Sequence, residues 1–426
     1  MPDAVVPLAG QGVTGTVWAL ANQLGVVART PGELIGALAS APRRTVVALS
    51  DLQSAHDPDG VEGLVRALRS VGDVELHTGP AAATGTGYGA EAAPLDLDDP
   101  AAVCAAHPAR VTAAYEDRAP ADGSSGLRRA WFRAGQSLVR DQPAAERALV
   151  LLAALGDDAD PRLRPALAEL AADAPWRTDW TRVRGDLSPP WPGPVAALAR
   201  GTGRWAEHLL VADQRGTIRS LRPENAVPAD RSVRMPVRIT VLAPLPDGTL
   251  LMLDESGRLH AHGRTPLAEA VAATLAEHPG TALAATDRLV LVGDRHGSLH
   301  AFGPDGLDQA SPHRGRVTAL AVTGSCVPTV CSGGADGTVR SWAPGGPPAG
   351  EVVARRDCPV AALSGGGASL AVAWADGLVE LHDLDGRRAV DFRPGPPVRA
   401  VALDGERSVV VGTDDSLVRL TARFRH

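Results

Sequence analysis

The chain has 426 residues, of which 44% are hydrophobic and 21% are charged, a composition and length that fit two or three ordinary soluble domains. It contains no lysine, which excludes a lysine Schiff base and the lysine that contacts phosphate in nucleotide sites. The net charge is −7 and the arginines are scattered among acidic residues, so the sequence shows no basic stripe and we expect no nucleic-acid partner.

The same composition suggests a compartment and a source. The absence of lysine and the abundance of alanine, glycine, proline and valine resemble the coding bias of a high-GC bacterium. No signal peptide and no apolar run of about 20 residues is seen, so we expect a cytoplasmic protein that does not span a membrane. The cysteines show no metal-ligand spacing and are expected to be free buried thiols: Cys104, Cys326, Cys331 and Cys358.

Residues 1–110 alternate between strand and helix patterns, which predicts a small parallel sheet with helices packed on it. The predicted elements are a strand at 5–8, helices at 17–24 and 31–39, a strand at 45–49, a helix at 59–71 and a strand at 74–77. Residues 79–95 and 120–125 are predicted to be loops.

The turn after the first strand, Gly10-Gln-Gly-Val-Thr-Gly15, has the glycine spacing of a phosphate-binding P-loop. In that motif a lysine and a hydroxyl residue follow the last glycine, whereas here Thr16 and Val17 stand in those places. The candidate phosphate-contacting residues are therefore Gly10, Gly12, Gly15 and Thr16.

Together with the runs at 45–55, 74–77 and 95–100, this turn resembles the P-loop core of the STAND ATPases. The resemblance implies acidic residues after the second strand, where only Asp51 remains, and a sensor arginine where Gly79 and Pro80 stand. The region therefore looks like a degenerate relative. Three interpretations stay open: a plain strand-to-helix turn, which we favour; nucleotide binding without hydrolysis; and active hydrolysis, the least favoured because the lysine is lost.

Residues 111–178 have helical periodicity, with helices predicted at 127–139, 144–155 and 163–170. Their apolar residues are expected to form the core of a small bundle: Trp131, Phe132, Leu149, Leu151 and Leu152.

From residue 179 onward a short phrase recurs, in which an acidic turn and usually a glycine precede an alternating strand. Its anchor positions are 216, 257, 297, 337, 377 and 416, so successive copies are 41, 40, 40, 40 and 39 residues apart. Each copy has apolar strand patterns on both sides of the turn. Four short strands in about 40 residues is one blade of a β-propeller.

The fourth copy resembles a WD40 repeat, since a histidine precedes its first strand, a serine ends the second and a tryptophan closes the third. The resemblance implies a hydrogen-bonded tetrad of His313, Ser332, Asp336 and Trp342. The other copies lack the tryptophan. The resemblance covers about 240 residues, and many STAND ATPases carry a C-terminal WD40 propeller.

A propeller must be closed, because an open ring exposes strand edges. The last repeat has no room for a fourth strand, so we expect residues 180–187 to pair with 417–422 as a latch. The proline-rich segment 188–194 would then lead into the first blade. Six blades are favoured, and seven remain possible if residues 222–236 contain further strands.

No catalytic, metal or cofactor site is indicated. Two of the histidines that invite a metal interpretation occupy a repeated polar position, and the full set is His260, His262, His296 and His300. The repeated turn aspartates are expected to bond turn amides. Ser124 and Ser125 lie in a loop with no implied base, and no nucleophile-elbow motif is present.

The sequence thus predicts three domains: a degenerate P-loop-like α/β domain at 1–110, a helical domain at 111–178 and a WD40-type propeller at 179–426. The expected function is that of a non-catalytic interaction scaffold or signalling adaptor with protein partners on the propeller face and no cofactor. The alternative is a nucleotide-responsive switch related to STAND ATPases, with little or no hydrolysis.

Overall fold

A computed structural model describes residues 1–41, 44–79, 94–118, 126–186, 194–324, 328–346 and 351–424. The predicted loops at 79–95 and 120–125, the proline-rich segment 188–194 and Cys326 fall wholly or largely outside these residues. The chain divides into two compact units, Met1–Ala174 with Arg393–Pro396, and Pro175–Phe392 with Pro397–His426. Within the described ranges, no helix is both long enough and apolar enough to cross a membrane.

The first unit begins with the predicted parallel sheet and its helices. The elements in chain order are β1 (Ala4–Pro7), α1 (Val13–Leu24), α2 (Pro31–Ala39), β2 (Thr45–Ser50), α3 (Pro58–Arg69) and β3 (Val74–Gly79). The strands pair in parallel in the order β1-β2-β3. Helix α1 starts at Val13, four residues earlier than predicted, and the amide of Thr16 closes its first turn by donating to the carbonyl of Gly12 (3.1 Å). The hydroxyl of Thr16 donates to the same carbonyl (2.8 Å).

Five further helices complete the first unit: α4 (Pro100–Ala105), α5 (Pro108–Asp117), α6 (Leu127–Leu138), α7 (Ala144–Ala154) and α8 (Leu163–Leu170). The last three match the predicted bundle. Helices α4 and α5 were missed, although each starts with a proline after a residue whose side chain accepts a hydrogen bond from the first turn. The predicted boundary at residue 110 falls inside α5. Of the predicted core side chains, Phe132 is half-buried and the others are buried.

The second unit is a ring of six sheets. Its first strand is β4 (Trp176–Val183). Blade one is β5 (Val195–Arg200), β6 (Leu209–Asp213), β7 (Thr217–Leu221) and β8 (Pro228–Arg234). Blade two is β9 (Ile239–Pro244), β10 (Leu250–Asp254), β11 (Leu259–His262) and the helix α9 (Pro266–Glu277). Blade three is β12 (Ala282–Ala285), β13 (Val290–Gly293), β14 (Leu299–Gly303) and β15 (Gly306–Ala310).

The remaining three blades follow the same antiparallel order. Blade four is β16 (Val317–Thr323), β17 (Thr329–Gly334), β18 (Thr338–Trp342) and β19 (Glu351–Arg355). Blade five is β20 (Val360–Gly366), β21 (Ser369–Trp374), β22 (Val379–Asp383) and β23 (Arg388–Phe392). Blade six is β24 (Val398–Leu403), β25 (Ser408–Thr413) and β26 (Ser416–Ala422), completed by β4.

The latch is therefore confirmed, with the strand four residues closer to the N-terminus than predicted. Strand β4 pairs antiparallel with β26, from Ser416 opposite Val183 to Ala422 opposite Trp176. Two tryptophans of β4 also reach the neighbouring blades. The indole of Trp176 donates to the carbonyl of Asp391 (2.8 Å), and that of Trp180 donates to the carbonyl of Pro223 (2.7 Å).

Blade two departs from the prediction of four strands in every blade. Thr265 caps α9 by accepting a hydrogen bond from the amide of Ala268, and Pro266 occupies the first helical position. The helix buries Ala268, Val271 and Leu275 in a cluster that includes residues of blade three. A helical start signal and 3-4 apolar spacing thus override the repeat at this position. Residues 222–236 supply only β8, so the ring has six blades and not seven.

Candidate functional site

In blades one to four, the hairpin turn between the second and third strands lies beside the connection into the next blade. Backbone hydrogen bonds join the two, as from Met235 to Gly216 (2.9 Å) and from Gly280 to Gly257 (2.9 Å). We call this end of the ring the turn face. It comprises the hairpin turns 213–217, 254–258, 294–298 and 335–338 and the connections 234–238, 277–281, 311–316 and 355–359.

The repeated acidic residue organises each turn. In blade two, Asp254 accepts hydrogen bonds from the amides of Ser256 (2.9 Å) and Arg258 (3.0 Å) and bonds the ring of His260 (2.7 Å). Burial alone would raise the pKa of Asp254, but the hydrogen bonds from His260 and Ser256 outweigh it and lower the pKa to about 2. The predicted structural role is confirmed here, and the carboxylate is ionised at pH 7 with its oxygens hydrogen-bonded inside its own blade.

Blades one and three repeat this arrangement. Asp213 accepts from the amides of Arg215 (2.8 Å) and Thr217 (3.0 Å), and its other oxygen lies 3.4 Å from Arg219. Asp294 accepts hydrogen bonds from the amides of His296 (2.7 Å) and Ser298 (2.9 Å), and its other oxygen bonds the ring of His300 (3.1 Å). The side chain six residues after the aspartate is therefore its partner. Consistent with this, the described residues contain no cluster of metal-binding side chains.

The glycine of each turn is required by the close approach of the connection. Gly216 has φ +77° and Gly337 has φ +73°, in the left-handed region. A Cβ at either position would also collide with a backbone carbonyl of the connection, that of Val237 or of Arg356. The repeated phrase in the sequence thus encodes a turn that holds the next blade in place.

Blade four carries a different polar set. The ring of His313 lies 3.1 Å from Asp336 through Nδ1 and 2.8 Å from the hydroxyl of Ser332 through Nε2. Because an ionised carboxylate only accepts hydrogen bonds, Nδ1–H donates to Asp336 and Ser332 donates to Nε2. The indole nitrogen of Trp342 is buried and has no hydrogen-bond partner among the described residues. Three of the four residues named from the sequence are thus connected.

The charge states agree with this geometry. Burial lowers the pKa of His313 below its ordinary value of 6.5, although Asp336 acts in the opposite direction, so the ring is neutral at pH 7. Burial would raise the pKa of Asp336, but the hydrogen bonds from the Arg314 amide, Thr338 and His313 outweigh it and the pKa is lowered. The set is therefore a neutral imidazole that lies within the blade between an ionised carboxylate and a serine hydroxyl.

The second unit is a six-bladed β-propeller. No protein-family model and no curated protein matches the chain. Among solved structures, the WD40 repeats of RRP9 are 12% identical, with 58% of this chain and 100% of that chain covered and a TM-score of 0.43. The computationally designed Ika8 protein is 20% identical, with 54% and 71% covered and a TM-score of 0.35. The fold assignment rests on the strand pairing and blade geometry described above.

The turn face of this propeller exposes more arginines than carboxylates. Eight of its arginines are exposed and form no ion pair within the described part of the chain: Arg215, Arg234, Arg238, Arg258, Arg295, Arg314, Arg316 and Arg355. Its exposed carboxylates are Glu255, Glu277 and Asp357. The turn aspartates are buried or half-buried and are bonded to amides and to side chains of their own blade, so their oxygens are not available to these arginines.

The opposite end of blades one to three has the reverse balance. Its connections expose three arginines without an ion pair, Arg204, Arg222 and Arg288. They also expose five carboxylates, Glu207, Glu224, Asp247, Asp287 and Asp305. In blades one to three, the excess of exposed arginines is therefore confined to one end.

A groove of about 470 Å³ lies between helix α9 and blade three. Leu275, Val292, Phe302 and Leu307 line it. Its polar lining includes Glu277, His278, Asp294, Arg295 and His296, several of which belong to the turn face. A second cavity of about 790 Å³ lies between blades four and five and is lined in part by Val352 and by the ion pair of Asp383 with Arg388.

In the first unit, the structure places the four candidate phosphate-contacting residues in the turn that leads from β1 into α1. Gly10 has φ +68° and Gly12 is the N-cap, while Gly15 and Thr16 are buried inside the helix. The carboxylate of Glu116, on α5, lies against Gly12, where a Cβ would collide with it. A negative side chain thus stands beside the helix N-terminus to which a phosphate would be attracted.

Neither the exposed arginines of the turn face nor the groove was predicted from the sequence, because the residues were considered in chain order. Residues about 40 positions apart return to the same end of the ring, so arginines that look scattered along the sequence gather in space. Arg215, Arg258 and Arg295 occupy the turns of three successive blades. The Thr265-Pro266 start of α9 was the available signal for the groove.

Proposed function

We propose that this protein is a non-catalytic interaction scaffold that binds a protein partner through the turn face of its propeller. The observation that carries the proposal is the set of eight exposed arginines that have no ion pair in the structure as described. All basic residues of this chain are arginine, so residue type alone means little. Eight other arginines of the same unit do pair with carboxylates, and the gathering of eight unpaired arginines at one end of blades one to four is the signal.

The rigid hairpin turns of the propeller suit this role, because two sets of hydrogen bonds hold each of them. Each hairpin is fixed by its aspartate and by the backbone bond to the next connection, and the ring is closed by β4. When charged side chains lie on a rigid backbone, binding costs little backbone conformational entropy. Arginine is enriched at protein interfaces, where its guanidinium group binds carboxylates through two hydrogen bonds.

Affinity capture with the full chain tests the proposal, using two matched double variants. Arg314→Gln with Arg316→Gln removes two charges of the turn face, and Arg222→Gln with Arg288→Gln removes two from the opposite end. We expect the first pair to reduce the recovered partner by about tenfold or more, since one lost charged contact costs about 1.5–3 kcal/mol. Recovery is measured by quantitative mass spectrometry.

The second pair should change recovery by less than about twofold, because exposed charges outside an interface contribute little. Equal loss with both pairs would indicate a general charge effect, and undiminished recovery with the first pair would contradict the proposal. Thermal unfolding of all three proteins shows whether the folds are comparable.

A nucleotide-responsive switch in the first unit is the alternative, and the glycine turn at the start of α1 is the observation that favours it. The carboxylate of Glu116 beside that turn opposes it, because it repels an incoming phosphate. Thr16 also donates its hydroxyl to the backbone and is buried, so it is not directed at a ligand.

We therefore expect ATP, ADP, GTP and GDP with Mg²⁺ to leave the melting temperature of the full chain unchanged, since a ligand that binds the folded state raises it. Differential scanning fluorimetry is the measurement. A reproducible rise with any of the four nucleotides, lost in the Thr16→Val variant, would instead establish the glycine turn as a binding site.

A further inference from the structure

We propose that the groove between α9 and blade three is the anchor site for an acidic segment of the partner, and holds one apolar side chain of that segment while nearby arginines bind its carboxylates. This inference rests on the proposed function, which it deepens by specifying the chemistry of the partner. The class of ligand is an acidic polypeptide that carries an exposed leucine or phenylalanine.

The groove exists because blade two ends in a helix. In blades one and three to five, a fourth strand pairs with the third and continues the sheet. In blade two, α9 packs its buried residues into a cluster with Val290 and Val292 of blade three, and so bridges the two blades at the rim. The space left between the helix and β15 is the groove.

The walls of the groove are apolar and partly open. Leu275 and Val292 are buried at its base, and Phe302 is partly buried. Leu307 on β15 is 51% exposed, one of the few large apolar side chains that the described residues leave in solvent. A volume of about 470 Å³ is within the range of about 300–1,000 Å³ of ligand pockets, so an apolar side chain fits.

Near the end of the groove at the turn face, exposed arginines outnumber exposed carboxylates. Asp294 lines the groove but is already bonded by two amides and by His300. Arg295 is exposed in the same turn, and Arg314 and Arg316 belong to the connection whose backbone is hydrogen-bonded to that turn. Glu277, at the end of α9, is the exposed carboxylate on the helix side of the groove.

This charge balance fits carboxylates better than nucleic acid. Guanidinium groups bind carboxylates with matched planar geometry. Single-stranded nucleic acid would also need aromatic side chains for base stacking, and the turn face of blades one to four contains no tryptophan, tyrosine or phenylalanine. The strand β15 is also the outermost of its sheet, so an extended peptide can lie beside it.

Fluorescence anisotropy with the full-length protein tests the inference. The probe is a labelled glutamate-rich peptide with one central leucine, compared with the same peptide carrying serine in place of leucine and with one carrying glutamine in place of glutamate. We expect the leucine and glutamate peptide to bind. Each of the other two peptides should have a dissociation constant at least about tenfold higher, since burial of one leucine and the carboxylate contacts each contribute about a factor of ten in affinity.

A matched pair of variants tests the location. Leu307→Ser removes the exposed apolar side chain of the groove, and Val352→Ser removes one of similar exposure (39%) on the outer strand of blade four. Both lie on the surface, so folding should be retained, and circular dichroism checks this. We expect Leu307→Ser to weaken peptide binding by about tenfold and Val352→Ser by less than about twofold.

The inference is overturned if no acidic peptide binds below about 1 mM, if Leu307→Ser and Val352→Ser behave alike, or if an oligonucleotide displaces the peptide without showing the same dependence on Leu307. Failure of the inference is distinguishable from failure of the proposed function. A captured partner that is lost with Arg314→Gln and Arg316→Gln but is retained with Leu307→Ser would support the turn face and contradict the groove.

Discussion

A chain that starts at Pro175 will fold into a closed propeller, whereas a chain that starts at Pro194 will not. The two differ by the latch strand β4, which has eight residues, seven of them paired with β26. Without β4, the backbone groups of β26 form an open sheet edge, which is a template for aggregation. The shorter chain also lacks Trp176 and Trp180, which are buried and hydrogen-bonded to the two neighbouring blades.

The effect is expected to be large because removing a buried tryptophan side chain typically costs about 3–5 kcal/mol, and a folded domain is stable by only about 5–15 kcal/mol. Size-exclusion chromatography and urea unfolding followed by circular dichroism measure it. A monomeric chain from Pro194 with the same unfolding midpoint as the chain from Pro175 would show that closure does not depend on β4.

The second large effect concerns two buried tryptophans in adjacent blades. Trp374→Ala and Trp342→Ala should each destabilise the propeller by about 3–5 kcal/mol, since both side chains are at most 3% exposed. Replacement by phenylalanine should affect stability differently at the two positions. The indole of Trp374 donates to Glu380 (2.8 Å), which also bonds His382 (3.1 Å), whereas the indole nitrogen of Trp342 has no partner in the described structure.

We therefore expect Trp374→Phe to cost about 1–3 kcal/mol, because it leaves the half-buried carboxylate of Glu380 with one hydrogen bond fewer, and Trp342→Phe to cost less than about 1 kcal/mol. The shift in the urea unfolding midpoint measures the difference. An equal cost for the two replacements would mean that Trp342 does donate to Ser332, as the WD40 resemblance implies.

The sequence predicted the propeller because its turns have strict chemical requirements. In blades one to three an aspartate bonds two amides of the hairpin turn, and in blades one to five a glycine at positive φ follows in that turn, so a period of about 40 residues is visible without any alignment. The latch followed from the same logic, since the last repeat was one strand short and the segment before the first repeat alternated like a strand.

Helix α9 could have been predicted and was not. Thr265 and Pro266 form a standard helix start, and Ala268, Val271 and Leu275 have helical spacing. The repeat led us to expect a strand at that place. Helices α4 and α5 were also missed, although Asp99-Pro100 and His107-Pro108 are start signals of the same kind.

The unpaired arginines of the turn face could not be predicted from counting charges. Which arginines remain unpaired depends on the hydrogen bonds that each aspartate already accepts, and Asp254 and Asp294 accept theirs from amides of their own turns. These hydrogen bonds can be identified only when the geometry of the turns is known. The position of Glu116 against Gly12 is similar, because the two residues are about 100 positions apart and meet only in the folded unit.

The measurement that tests the central proposal most directly is amide hydrogen exchange of the full chain, alone and with its captured partner. Binding through the turn face predicts slower exchange in the turns 254–258, 294–298 and 335–338 and in the connection 311–316, because partner contacts suppress local opening there. The opposite connections of the same blades should be unchanged. Protection confined to those opposite connections, or to residues 1–174, would contradict the account.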